Sequence, residues 1–497
     1  MSTTFIDKCS KEAVIGLLGA ATIVLAGCIG TEDSTSGITP EPENEIATPA
    51  SLAFESADNY DENTYGLITG PTLKGWIDDW AGNRPEGIEG KLVILQTSTG
   101  EAGFEFITPN GDDVFTYSVD SGEWVETRSN GVIETRSVVP SGRAVDTFLA
   151  KYDIDPSNDM IVCTQGAAGA FSAMKMGRCW YMFRYWGTAK ENVAVLNGGN
   201  QWNGENTTLD ASYFSATAST PPMTGTATVK DLPDINFALQ ATVEDMLAIV
   251  PAQDINLLND GIFIWDARSN NLPASDPASS ADEYSPDDDS DFRNGGSTQG
   301  HPNGALMLSY NNILDATQGY IYKSKAEIQA YVNGEVDSNN ISFVDSTLQG
   351  VGSGNGYQEG DTVYSYCETT YRAMITGFAS GAILGLPTRF YDGAMVEWHS
   401  LTNQVDSNGN NILPFDSPWR TDKSSYSMFI TNTSPANVEP RAIVNPYAAS
   451  ANAVIEEDLA YKGIVVDSGS SDTSTDDSTG SSGGGGGGVL PPNPCGG

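Results

Sequence analysis

Short apolar runs alternate along this chain with stretches of helical period. Lys91–Gln96 (KLVILQ), Met160–Thr164, Val193–Leu196, Ile262–Trp265 and Thr362–Tyr366 are each four to six residues long and nearly continuous in Val, Ile, Leu and aromatics. Such runs predict strands buried on both faces, as in a parallel sheet covered by helices. Between them, Thr72–Ala81, Gly142–Tyr152, Ser172–Trp186 and Lys325–Val332 carry apolar residues at helical spacing and predict helices. Pro109-Asn110-Gly111 marks a turn before a further strand within Phe104–Val119. Strands alternating with helices, twice over, predict an α/β protein of two domains, each a mainly parallel sheet flanked by helices. The boundaries fall at residues 61–234 and 235–466. About 415 residues between polar ends suit two domains better than one core.

The ends read differently. Lys8 and Lys11 precede the apolar run Ala13–Ala26, which closes in Leu25-Ala26-Gly27-Cys28. That resembles the lipobox of bacterial lipoproteins, so residues 1–27 are expected to be a signal peptide and Cys28 the lipidated residue and membrane anchor. Ile29, where an aspartate would suggest inner-membrane retention, points to the outer membrane. Residues 28–60 read as a flexible tether and 467–497, with the run Gly483–Gly488, as a disordered tail. Asp276–Gly296 is an acidic insertion, read as a solvated loop.

Charge and residue counts narrow the chemistry. Twenty-four Lys+Arg against 65 Asp+Glu give a formal charge of −41, which excludes nucleic acid and anionic lipid surfaces as partners. Two histidines, His301 and His399, leave no material for a multi-histidine metal site and little for a Ser–His–Asp hydrolase. No metal and no cofactor is expected. The cysteines show no dense framework spacing, so disulfides are not expected to hold the fold, and Cys179 reads as a core thiol.

One stretch speaks of catalysis. The strand Thr362–Tyr366 ends in Cys367; Glu368-Thr369-Thr370-Tyr371 leads to Arg372, and a helical stretch runs to about Leu384 before Gly385 and Pro387. A cysteine between a strand end and a helix start meets unsatisfied backbone N–H groups and the positive end of the helix dipole, which favours the nucleophilic thiolate. The order Cys367…Arg372, Leu384-Gly385, then Tyr391-Asp392-Gly393-Ala394-Met395-Val396-Glu397-Trp398 resembles the active-site segment of the rhodanese (sulfurtransferase) family, with Ala394 in place of the usual Ser. Asp266-Ala267-Arg268-Ser269 and Gly300-His301-Pro302-Asn303-Gly304-Ala305 resemble two further segments of that family.

The resemblance implies a tandem rhodanese-like protein. Cys367 would take a sulfane sulfur from a small donor and pass it, as a persulfide, to a thiophilic acceptor. Residues 368–372 would form the substrate loop, and Asp266 and Arg268 would support it. Glu368 departs from the basic residue that thiosulfate-using members often carry, and a carboxylate there would repel a dianion. In the first domain, aligning Met160–Thr164 on Val363–Cys367 puts Thr164 in the nucleophile's place, which implies a non-catalytic copy; Cys163 would point away from the loop mouth. Trp202 and Trp398 are expected to be matching core anchors. The other class of function left open is a non-catalytic sulfur- or selenium-binding lipoprotein with an envelope redox protein as partner.

Overall fold

A computed structural model describes residues 45–252, 260–268, 300–402, 404, 406–408, 410, 412–414, 416–420 and 443–464. The segment expected to be a signal peptide, Cys28, the acidic insertion, Cys495 and residues 467–497 lie outside them. The first half contains β1 (Gly66–Ile68), α1 (Gly70–Asp78), β2 (Leu92–Gln96), β3 (Val114–Ser118), β4 (Glu126–Ser129), β5 (Glu134–Val138), α2 (Gly142–Tyr152), β6 (Met160–Gln165), α3 (Ala170–Tyr185) and β7 (Val193–Gly199). The second contains β8 (Gln240–Ala241), α4 (Val243–Ala252), β9 (Ile262–Asp266), β10 (Leu306–Met307), α5 (Lys325–Val332), β11 (Thr362–Tyr366), α6 (Ala373–Phe378), β12 (Thr388–Tyr391) and α7 (Ala394–Thr402), with α8 (Ala453–Tyr461) near the end.

Each half builds a five-stranded parallel sheet, in the spatial orders β1-β7-β6-β2-β3 and β8-β12-β11-β9-β10. Numbered within its own half, each order is 1-5-4-2-3, so the two halves repeat one topology. The apolar runs form the central strands because both faces are covered: every residue of β2 and β6 is buried. This is a mixed α/β fold of parallel sheets flanked by helices.

The two sheets share one continuous core. Helix α3 is apolar almost all round, and from Ala173 to Tyr185 only Lys175 escapes burial; a helix of that composition needs protein on every side. Gly177 lets it approach α6 closely, since a Cβ there would lie 2.7 Å from Cβ of Met374. Trp180 meets Phe378 at 5.1 Å between ring centroids and Tyr181 meets Phe390 at 4.8 Å.

The structure departs from the sequence reading in several places. The tether expected over 28–60 is folded from Glu45 on: Glu45–Ile46 pairs with Asp234–Ile235, Leu52 and Phe54 are buried, and the Phe54 and Ser56 amides bond to the Gly381 and Ile383 carbonyls. Spaced apolar residues in a polar segment were enough to dock it. Cys163 and Cys179 form a disulfide, against the expectation of a core thiol. Alternation along β6 turns Cys163 onto the face that α3 covers, opposite Cys179. The helix after Arg372 is α only to Phe378 and turns π over Ala379–Ile383. Trp398 is fully buried but Trp202 is not, so they are not equal anchors. Helix α8 packs back chiefly on the first half, through Arg128–Asp458 at 2.7 Å and the Tyr461 hydroxyl donating to Asp146 at 2.6 Å.

Candidate functional site

Cys367 lies at the C-terminal end of β11, a central strand of the second sheet, buried and as the free thiol among the described cysteines. Ligand sites of parallel α/β sheets gather at this end of the strands. The loop then doubles back over the strand end. Carbonyls of Cys367 and Glu368 accept from the amides of Met395 (3.1 Å) and Val396 (3.3 Å) at the start of α7. Thr370 takes a left-handed conformation, φ +64°, which costs a β-branched residue energy unless its surroundings hold it. Its hydroxyl, in reach of the carbonyls of Tyr391 (3.1 Å) and Asp392 (2.8 Å), does the holding. Glu368 and Arg372 pair at 3.3 Å, so the loop's own cation is engaged with its carboxylate. Thr369 completes the turn between them. Tyr371 borders the exposed Phe171 of α3, ring centroids 6.2 Å apart, and Lys175 sits 4.5 Å from the Phe171 ring.

Asp266 and Arg268 are fully buried beside this loop. The Arg268 guanidinium donates to both Asp266 oxygens, at 2.6 Å to Oδ2 and 3.0 Å to Oδ1, and also to the Gly300 carbonyl at 2.6 Å. Tyr366, the residue before Cys367, donates its hydroxyl to Asp266 at 2.6 Å. The pair thus ties the ends of β9 and β11 and the Gly300 segment together. His301 is buried next to that segment. His399 is buried as well; burial first, and then the Arg268 charge, holds its pKa well below the usual range, so it stays neutral.

Sequence reading missed the support beneath the loop. Arg178 of α3, fully buried, pairs with the fully buried Asp392 at 2.7 Å. Asp392 also accepts from the Val139 amide at 2.7 Å. The signal available was an arginine inside an otherwise apolar helix, which needs a partner. Farther along α7, Glu397 accepts from Asn130 at 2.8 Å and burial lifts its pKa to about 7.

The first half presents a counterpart of this site, in a register one residue away from the sequence alignment. β2 meets β6 as Gln96↔Thr164, and β9 meets β11 as Asp266↔Tyr366. Leu95 and Trp265 both face the shared core, so Gln96 matches Asp266, and Gln165 rather than Thr164 matches Cys367. A slip of one residue exchanges the faces of a strand. In place of charges there are amides: Asn200 donates to Gln96 at 3.0 Å, and Gln96 donates to the Ser98 carbonyl at 2.6 Å. A Cβ on Gly166 would lie 2.0 Å from the Ser98 carbonyl oxygen, so the backbone at Ser98 packs directly against the residue after Gln165.

Among the described residues no helix is long and apolar enough to cross a membrane, and no three His, Cys, Asp or Glu side chains cluster as metal ligands would. No family model matches the chain, and no curated protein matches it. Among solved structures, the chain is similar to the Tum1 protein from Saccharomyces cerevisiae, at 15% identity over 68% of this chain and 95% of that one, TM-score 0.45. It is also similar to a variant of EanB in complex with ergothioneine, at 14% identity over 70% and 69% of the two chains, TM-score 0.45. A third similar structure is the anaerobic ergothioneine biosynthesis enzyme from Chlorobium limicola bound to trimethyl histidine, at 14% identity over 70% and 69%, TM-score 0.43. At this level of similarity the site itself has to carry the functional reading.

Proposed function

We propose that this chain is a rhodanese-like sulfurtransferase of two repeated domains, the second catalytic. It moves a sulfane sulfur from a small donor to a thiophilic acceptor through a persulfide on Cys367. The observation that carries the reading is the placement of a free cysteine at the end of a central parallel strand, under a loop that turns directly into a helix. In such a transfer the thiolate attacks the donor's outer sulfur, the donor's S–S bond breaks, and the donor leaves with the bonding electron pair. The acceptor then attacks the persulfide's outer sulfur and the Cys367 thiolate departs. Backbone N–H groups of residues 368–372 would stabilise the anionic sulfur. Arg268 is committed to Asp266 and Arg372 to Glu368, which disfavours a dianionic donor and favours one of lower charge.

Intact-mass spectrometry of the folded protein after sulfane-sulfur donors, then cyanide, tests this. One added sulfur, removed by cyanide and absent in Cys367→Ser, is the expected result; no adduct with any donor would rule the transferase out. In that case the favoured reading is a non-catalytic sulfur- or selenium-binding accessory protein of an envelope redox assembly, for which the burial of Cys367 is the supporting observation.

The same reading places the protein at the outer membrane through lipid on Cys28. The Cys163–Cys179 disulfide accords with an oxidising compartment. Mass of the protein extracted from membranes should include acyl chains that Cys28→Ser lacks; an unmodified, water-soluble mature chain would exclude the anchor.

A further inference from the structure

We infer that Arg178, from the half without the nucleophile, is a positioning residue for the Cys367 loop. The inference rests on the sulfur-transfer reading for its purpose but on geometry for its content. Arg178 is fully buried and engaged on three sides. One guanidinium nitrogen meets Asp392 Oδ1 at 2.7 Å, a second donates to the Ser137 carbonyl, and the guanidinium carbon lies 5.8 Å from the Tyr371 ring. Asp392 is the hinge of this arrangement. Its carboxylate takes Arg178 and the Val139 amide, while its carbonyl takes the hydroxyl of Thr370.

Two of the six residues from Cys367 to Arg372 are therefore held from below through one cation: Tyr371, whose ring lies within cation–π range of it, and Thr370 through Asp392. Ser137 sits at φ +65° and Thr370 at φ +64°, so strained backbone flanks the pair on both halves, and such conformations persist only where the surroundings enforce them. The helix carrying Arg178 is itself fixed: Cys179 is bonded to Cys163 of β6, and Gly177 lies against Met374 of α6. The first half, whose own strand end has Gln165 in place of the nucleophile, thus supplies a rigid arm that fixes the loop of the second. Arg178 does not touch the sulfur; it acts through Asp392 and Tyr371.

Hydrogen exchange of the full chain, compared between wild type and Arg178→Met, reads this directly. Amides of residues 368–372 should exchange about ten-fold faster or more, with Leu92–Gln96 and Lys325–Val332 unchanged. Arg178→Lys should recover part of the protection, and Asp392→Asn should reproduce the loss. Loading of Cys367 with sulfane sulfur should slow about ten-fold with little change in the donor concentration for half-maximal rate. Wild-type protection of the loop in a folded Arg178→Met, or acceleration spread evenly over the chain, would overturn the inference. Should Arg178→Met not fold, Arg178→Lys and Asp392→Asn decide it by the same criterion. The exchange readout needs no sulfur donor. A wild type that never accepts sulfur therefore ends the transferase reading and leaves the loop result standing, whereas an unaltered loop ends this one alone.

Discussion

Glu397 shows what burial does to a single carboxyl here. Removed from water among Asn130, Asp392 and the start of α7, it is pushed up to about 7 from an ordinary 4.5, chiefly by desolvation. Between those two values the folded chain keeps a proton that the unfolded chain has released. Stability therefore falls as pH rises from about 4.5 to about 7 and is flat, for this group, on either side. The full swing is on the order of 3 kcal/mol. Unfolding in denaturant at pH 5 and pH 8 should show wild type losing more stability than Glu397→Gln across that interval; equal losses would mean that Glu397 titrates as a solvated acid. At this scale the sequence was legible where a motif fixed the residue: Cys367, Arg372, Asp266 and Arg268 all gather at the same end of two adjacent strands, β9 and β11. It was not legible where the partner was remote. Nothing near Arg178 in the chain points to Asp392, 214 positions away, and a strand buried on both faces shows no apolar–polar alternation to distinguish Thr164 from Gln165 as the match to Cys367.

Among the elements, α3 carries the most and is the one whose ties were least visible beforehand. Its length and apolar character follow from the sequence, and its role between the sheets follows from having no polar face to give to water. Its covalent bond to β6 did not, because two cysteines 16 residues apart suggest no framework until strand and helix are laid face to face. Other boundaries shifted for similar reasons. The docking of residues 45–56 depends on carbonyls of the π turn at Ala379–Ile383, a partner that a local pattern cannot name. Closing a loop of this size restricts the unfolded chain by about 3 kcal/mol in the chain-entropy account. Replacing both cysteines by alanine should lower the unfolding free energy in urea by about 2–4 kcal/mol, with the far-ultraviolet spectrum retained. A change below about 0.5 kcal/mol would mean that core packing alone fixes α3.

The molecule as a whole repeats one sheet topology in halves whose strand-end residues differ in charge. Sheet order is the same in both, yet the strand-end site of one is a set of amides and that of the other holds Cys367, Asp266 and Arg268. Around this frame the chain carries 65 acidic residues against 24 basic ones, and among the described residues three of the four buried arginines are paired with carboxylates: Arg128 with Asp458, Arg178 with Asp392, Arg268 with Asp266. A formal charge of −41 means that the compact state works against its own repulsion. Salt screens such repulsion over about 10 Å at 0.1 M, whereas the buried pairs are shielded from it. Raising sodium chloride from 10 mM to 0.5 M should therefore raise the thermal midpoint. The gain should be larger at pH 8 than at pH 4.5, where many exposed carboxylates have begun to take up protons. Stability that falls with salt at pH 8 would instead mean that attractive surface pairs outweigh the excess of negative charge.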